Sequence, residues 1–173
     1  MRLKAGTDGG GYVSCLAAAT AQDGFIHYMT KERAGIKKED VIVFLKTLKK
    51  NSPSHNIVVF CDNGSCFTAN DTKYAANDLG VTILYNLPYR PDFNGMENVW
   101  RQVKAHYRNK IVAHLCSGVS WKNSDLVTES IQSVDRLTVR NGITAGLDAL
   151  DAGNPINPVE GEDIDEQMND FIQ

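Results

Sequence analysis

Two acids stand where acids do chemistry. Asp62 directly follows the apolar run Ile57-Val58-Val59-Phe60-Cys61, and sites in α/β sheets assemble at the C-terminal ends of strands. Glu97 follows the turn-rich stretch from Asn86 to Gly95 and reads as the first turn of a helix. Thirty-four residues separate the two. A loop, a helix and a return strand fit in that interval and can bring both acids to one sheet edge. Carboxylates converging there suit Mg²⁺ or Mn²⁺, which prefer oxygen ligands. Two such ions ~3.5–4 Å apart can activate an attacking oxygen and stabilise a leaving oxygen in displacement at phosphorus. That chemistry needs no Cys, Ser or His nucleophile, and the sequence holds no triad pattern or Walker loop. Arg101, Lys104 and Arg108 follow Glu97 at i+4, i+7 and i+11. They share roughly its helix face and suit a phosphate backbone.

Each feature also has a plainer use. Asp-Asn-Gly after a strand is a common turn, because Asp and Asn bond their own backbone and Gly tolerates positive φ. Glu in a first helical turn is favoured by the helix dipole. Glu97 and Arg101 could form a surface ion pair worth ~0.3–0.5 kcal/mol, and the basic face could be merely solvated. The conjunction of these features, with the loop between them, is what points to a site.

The elements that must position them read as follows. Tyr12 to Thr20 is strand-like after the break at Gly9-Gly10-Gly11. Asp23-Gly24 is a hairpin dipeptide, so Phe25 to Met29 pairs back. Val41, Phe44, Leu45 and Leu48 mark one face of a helix from about Lys38 to Lys50. Ile57 to Cys61 reads as a strand covered on both faces. A helix from about Asp71 to Leu79 stops at Gly80, and Val81 to Leu84 is a short buried strand. A helix from Met96 to about Arg108 follows the loop. A last one from about Asp125 to Val139 carries Val127, Ile131 and Val134. This order implies an α/β fold: a mixed sheet with helices on its faces.

The chain has 173 residues, 42% hydrophobic and 23% charged, which fits one globular domain over residues 1–150. Net charge is −3, unevenly spread: residues 151–173 hold seven acids and no Lys or Arg, leaving 14 acids against 18 bases in residues 1–150. The body is mildly basic, compatible with a polyanionic partner, and 151–173 reads as an acidic flexible tail. Cys15, Cys61, Cys66 and Cys116 form no C-x-x-C pair, and neither they nor His27, His55, His106 and His114 show zinc spacing. No run approaches the ~20 apolar residues of a membrane span, and the N-terminus lacks the apolar stretch of a signal peptide.

The joint pattern resembles the catalytic domain of mariner-type DDE transposases, an RNase H-like superfamily. Its carriers are Val58-Val59-Phe60-Cys61-Asp62-Asn63 and Leu87-Pro88-Tyr89-Arg90-Pro91-Asp92-Phe93-Asn94-Gly95-Met96-Glu97-Asn98-Val99-Trp100. The family shows an apolar strand ending in Asp-Asn, then a Leu-Pro-Tyr-Ser-Pro-Asp-Leu-Asn-Pro-Ile-Glu-like stretch at this spacing. The resemblance implies an RNase H-like mixed sheet with helices on both faces. It implies that Asp62 and Glu97 are the second and third metal-ligating carboxylates of a two-metal Mg²⁺ or Mn²⁺ site, and that the partner is DNA. It also implies nuclear residence and allows a homodimer; no small-molecule cofactor or membrane is involved.

The chain departs from the family in three places. Arg90 stands where Ser is usual. Gly95 replaces Pro and makes the start of the helix less rigid. The strand bearing the first Asp would, on this register, precede Met1, so the chain reads as shortened at its N-terminus. Asp8 is a possible substitute, but beside three glycines it reads as a turn residue. The first reading is thus a transposase-derived domain whose metal-dependent strand cleavage and transfer is impaired. The second is an RNase H-like nucleic-acid-binding or scaffold module without catalysis. The third is a nuclease completed by Asp8.

Overall fold

A computed structural model describes residues 12–153 and, for the backbone, Arg2–Lys4. Strands β2 (Tyr12–Thr20) and β3 (Gly24–Glu32) form the expected hairpin. Gly24 turns it at φ +76°. A short strand β1 (Arg2–Lys4) lies antiparallel on the other edge of β2, with Arg2 opposite Ser14 and Lys4 opposite Tyr12. This strand, Arg2-Leu3-Lys4, carries no acid, so it does not supply the first Asp that the family pattern places on its opening strand. Helix α1 (Lys38–Asn51) follows, then β4 (Ile57–Cys61), α2 (Ser65–Thr68), α3 (Asn70–Asp78) and β5 (Val81–Tyr85). Strands β4 and β5 pair in parallel, Ile57 opposite Val81 and Cys61 opposite Tyr85. A 3₁₀ turn (Pro91–Phe93) leads into α4 (Gly95–Ser117), α5 (Asn123–Gln132) and α6 (Arg136–Gly153). None of the described helices is long and apolar enough to cross a membrane.

Alternation along β2 builds two cores. Val13, Cys15, Ala17 and Ala19 face Val99, Trp100 and Val103 of α4, Leu126 and Ile131 of α5 and Val139 of α6. Leu16 and Ala18 face the other way, joining Met29, Ile57, Val59, Val81 and Ile83 against Val41, Phe44, Leu45 and Leu48 of α1 and Ala76 of α3. A strand whose successive side chains point to opposite faces can hold two helical layers only if both sets are apolar. Here both are apolar apart from buried Ser14, which explains why residues 12–20 read as a run rather than an alternation.

Four expectations need correction. Strands β4 and β5 are covered on one face only: Val58 is 58% and Leu84 50% exposed, because the described α4–α6 layer packs on β2 and β3. Helix α4 runs past Arg108 to Ser117 and stops at Gly118, φ +65°. The helix expected from Asp125 to Val139 is two helices. Asp135 breaks it by accepting the Thr138 amide at 2.8 Å, a side-chain bond that starts α6 afresh. Finally, Asp151–Gly153 belong to α6, so the proposed boundary at 150 falls inside a helix; the tail beyond 153 lies outside the described residues.

Candidate metal and nucleic-acid site

Asp62 emerges exposed, one residue past β4. The strand end is tied to the following loop from several sides. The Asn86 amide donates to the Cys61 carbonyl at 2.8 Å, and Asn63 Nδ2 donates to the Asn86 carbonyl at 2.5 Å. Buried Asn86 in turn donates through Nδ2 to the Arg90 carbonyl at 2.6 Å. The loop from β5 to α4 is therefore hung from the end of β4 by one backbone hydrogen bond and by the side-chain amide of Asn63, and is braced within itself by that of Asn86.

Asn94 makes the decisive link. It is 8% exposed. Its Nδ2 donates to Asp62 Oδ1 at 2.8 Å, its Oδ1 accepts the Met96 amide at 3.1 Å, and its carbonyl accepts the Glu97 amide at 2.9 Å. One side chain thus caps α4 and holds the carboxylate of Asp62 against the first turn of the helix that bears Glu97. Glu97 is exposed on that turn. It makes no ion pair among the described residues, which disposes of the plain Glu97–Arg101 bridge.

Asn94 thus links Asp62 to the start of the helix that bears Glu97. Arg101 and Arg108 are exposed and Lys104 is half-buried on the face of α4 that continues from Glu97. None of the three is ion-paired among the described residues. The described residues contain no group of three or more metal-capable side chains. His27 instead packs at a tilt against Phe44, and His114 meets Trp121 edge to face. Burial, with Asp62 and Cys66 adding, pushes the Cys61 thiol up to about 12. Cys61 is thus protonated at neutral pH, and the oxygen donors are what the edge offers.

The departures at Arg90 and Gly95 acquire reasons. The Arg90 guanidinium lies 3.6 Å from the centre of the Phe93 ring and forks onto Asp92 at 2.8–3.2 Å, bracing the 3₁₀ turn. Its neighbour Tyr89 is held at φ +62° and is 98% exposed. Gly95 lies against α6: a Cβ there would sit 2.6 Å from the Ile143 Cα. Glycine replaces a rigid residue because another backbone passes where a side chain would be. The motif contains Asn94, and its sequence signal is an N-cap residue type directly before Gly-Met-Glu.

Asn94→Ala should cost about 1 kcal/mol through the lost cap, a fall of roughly 2–4 °C in a chain of this size. Asn94→Ser retains a capping hydroxyl and should recover most of that loss. Equal losses in thermal melts of both variants would mean that the cap is not the source.

A family model described as DDE superfamily endonuclease matches residues 2–115. No curated protein matches the sequence. Among solved structures, the Mos1 transposase catalytic domain, determined with Raltegravir and Mg, is 14% identical with a TM-score of 0.62, covering 86% of this chain and 76% of that one. A chain of the simian T-cell lymphotropic virus intasome, solved with the PP2A regulatory subunit B56 gamma, is 10% identical with a TM-score of 0.58. That match covers 95% of this chain and 56% of the other. The shared fold is the RNase H-like one of transposase and integrase catalytic domains.

Proposed function

The chain belongs to the DDE superfamily endonucleases, and from that membership we propose that it is a transposase-derived domain built for divalent-metal-dependent cleavage and transfer of DNA strands. The observation that supports this most is Asn94, which holds Asp62 to the helix turn that presents Glu97. Asp62 and Glu97 would hold Mg²⁺ or Mn²⁺. Bound there, such ions supply an activated attacking oxygen and a stabilised leaving oxygen at phosphorus. Asn94 fixes the rotation of the Asp62 carboxyl, so that one oxygen is spent on the hydrogen bond and the other is left for the ligand. Arg101, Lys104 and Arg108 would take successive backbone phosphates of DNA. A homodimer and a nuclear location belong to the same reading.

The third carboxylate is the open member. Asp8 lies in the connection between β1 and β2, outside the described residues. Strand β1 (Arg2–Lys4) carries no acid, so Asp8 is the substitute the sequence offers and the residue to test. Without it the domain is the second reading, a nucleic-acid-binding module that does not cut.

Calorimetric titration of Mn²⁺ tests the assignment. The wild type should bind saturably, Asp62→Asn and Asp8→Asn should abolish the heat, and Glu97→Gln should weaken it while leaving the melting temperature nearly unchanged. Binding that survives Asp8→Asn would remove Asp8 from the site. A folded wild type that binds no Mn²⁺ would leave the binding module as the function.

A further inference from the structure

The exposed face of α4 is patterned along its length. Glu97 is followed on one face by Arg101, Lys104 and Arg108, and then by Val112 and Leu115, 58% and 55% exposed. Steps of three and four residues keep all six on one stripe. The three cations span ~11 Å of helix with no counter-ion among the described residues, whereas Lys110, on another face, reaches Glu129 at 3.3 Å.

The chain leaves the described structure at the loop that precedes α4, at the Glu97 end of the helix. Helix α6 crosses α4 where Gly146 meets Gly95, and it ends at Gly153 against the loop that carries Asn94. A Cβ on Gly153 would lie 2.6 Å from Phe93 Cζ and 3.2 Å from Arg90 Nη2. Residues 154–173 then contain six acids, Glu160, Glu162, Asp163, Asp165, Glu166 and Asp170, no Lys or Arg, and Phe171-Ile172 after them. Read outward from Gly153, the order is spacer, acids, apolar pair. Read outward from Glu97, α4 offers bases and then an apolar pair, in the same order.

Reach does not limit the match. From Gly153 back to the crossing is seven residues of helix, and from Gly95 to Arg108 thirteen, together ~30 Å. Twenty extended residues span up to ~66 Å.

We propose that residues 154–173 dock along this stripe of α4, their acids on Arg101, Lys104 and Arg108 and Phe171-Ile172 on Val112 and Leu115. The segment is then an intramolecular polyanion on the surface assigned above to DNA. Tethering supplies it at millimolar effective concentration, and salt loosens it. DNA must displace it, so the segment sets a threshold for DNA engagement. The docking itself rests on charge and position alone; its consequence for DNA rests on the function proposed above.

The test compares the full chain with a full-length variant carrying Glu160→Gln, Glu162→Gln, Asp163→Asn, Asp165→Asn, Glu166→Gln and Asp170→Asn. Amide chemical shifts of residues 101–115 should differ between the two at low salt and converge as salt rises. A short fluorescein-labelled DNA duplex, followed by anisotropy, should bind the neutralised chain about tenfold tighter at low salt, and adding Arg101→Ala, Lys104→Ala and Arg108→Ala to both should erase the difference. Identical shifts overturn the docking, even if DNA affinity rises, because the gain is then long-range repulsion alone. Shifts that differ while neither chain binds DNA uphold the docking and overturn the DNA reading.

Discussion

Trp100→Ala is expected to destabilise the domain by about 3–5 kcal/mol, the range for removing a buried aromatic ring. The ring is 8% exposed on the inner face of α4, with Val99, Val103 and Tyr107. It belongs to the core that joins Val13 and Cys15 of β2 to Leu126, Val127 and Ile131 of α5 and Val139 of α6. Its site is where one strand and three helices meet, so no single element can move in to fill the space. At ~2–4 °C per kcal/mol for a chain of this size, the melting temperature should fall by ~6–20 °C. Trp100→Phe, which keeps much of the volume, should lose less. Urea unfolding checks both. A loss below ~1 kcal/mol for the alanine variant would put the ring outside this core.

Gly146→Ala is the second large effect, and there two principles oppose each other. Helix propensity favours alanine over glycine by ~1 kcal/mol in a helix interior. Packing forbids it: a Cβ at Gly146 would lie 2.3 Å from the Gly95 amide nitrogen, 2.5 Å from its Cα and 3.1 Å from the Phe93 carbonyl oxygen. These are backbone atoms on both sides and cannot rotate away. We expect packing to win, with a net loss of about 3 kcal/mol, the upper part of the overpacking range. The displaced atoms belong to the residues flanking Asn94, so the link from Asp62 to α4 should loosen and Mn²⁺ binding should weaken with stability. Gly142→Ala is the control on the same helix. Its Cβ meets a single side-chain methyl, Val99 Cγ2, at 3.0 Å and backbone only at 3.6 Å, so it should cost less. A Gly146→Ala protein as stable as wild type would mean that α6 does not cross α4 this closely.

The order of the elements was legible because most carry strong local signals. The hairpin came from Asp23-Gly24, α1 from Val41, Phe44, Leu45 and Leu48, and the stop after α3 from Gly80, which does adopt φ +64°. Other elements were hidden. The four-residue α2, with only Cys66 and Phe67 reaching the core, is too short to show a period. The outer face of α4 beyond Arg108 is apolar at Val112 and Leu115, which blurs the helical period just where the helix was thought to end. Val134 kept the spacing of Val127 and Ile131 across a real break, so the capping role of Asp135 was passed over.

The site divides along the same line. Residue type and spacing alone singled out Asp62, Glu97 and the basic face of α4, because a carboxylate after an apolar strand and another at a helix start are local facts. Their junction was not a local fact. Asn94 reaches Asp62 only when β4 and the loop before α4 lie side by side, and no periodicity encodes a contact between residues 32 positions apart. Gly95 looked like a loosened helix start while its neighbours in sequence were the only ones visible. It became a close-packed crossing once Gly146, fifty-one residues later, was found against it. The sequence by itself picked out the candidate groups for a metal and a phosphate backbone. Tertiary structure decided which groups hold them in place, because positioning depends on contacts between segments far apart in the chain.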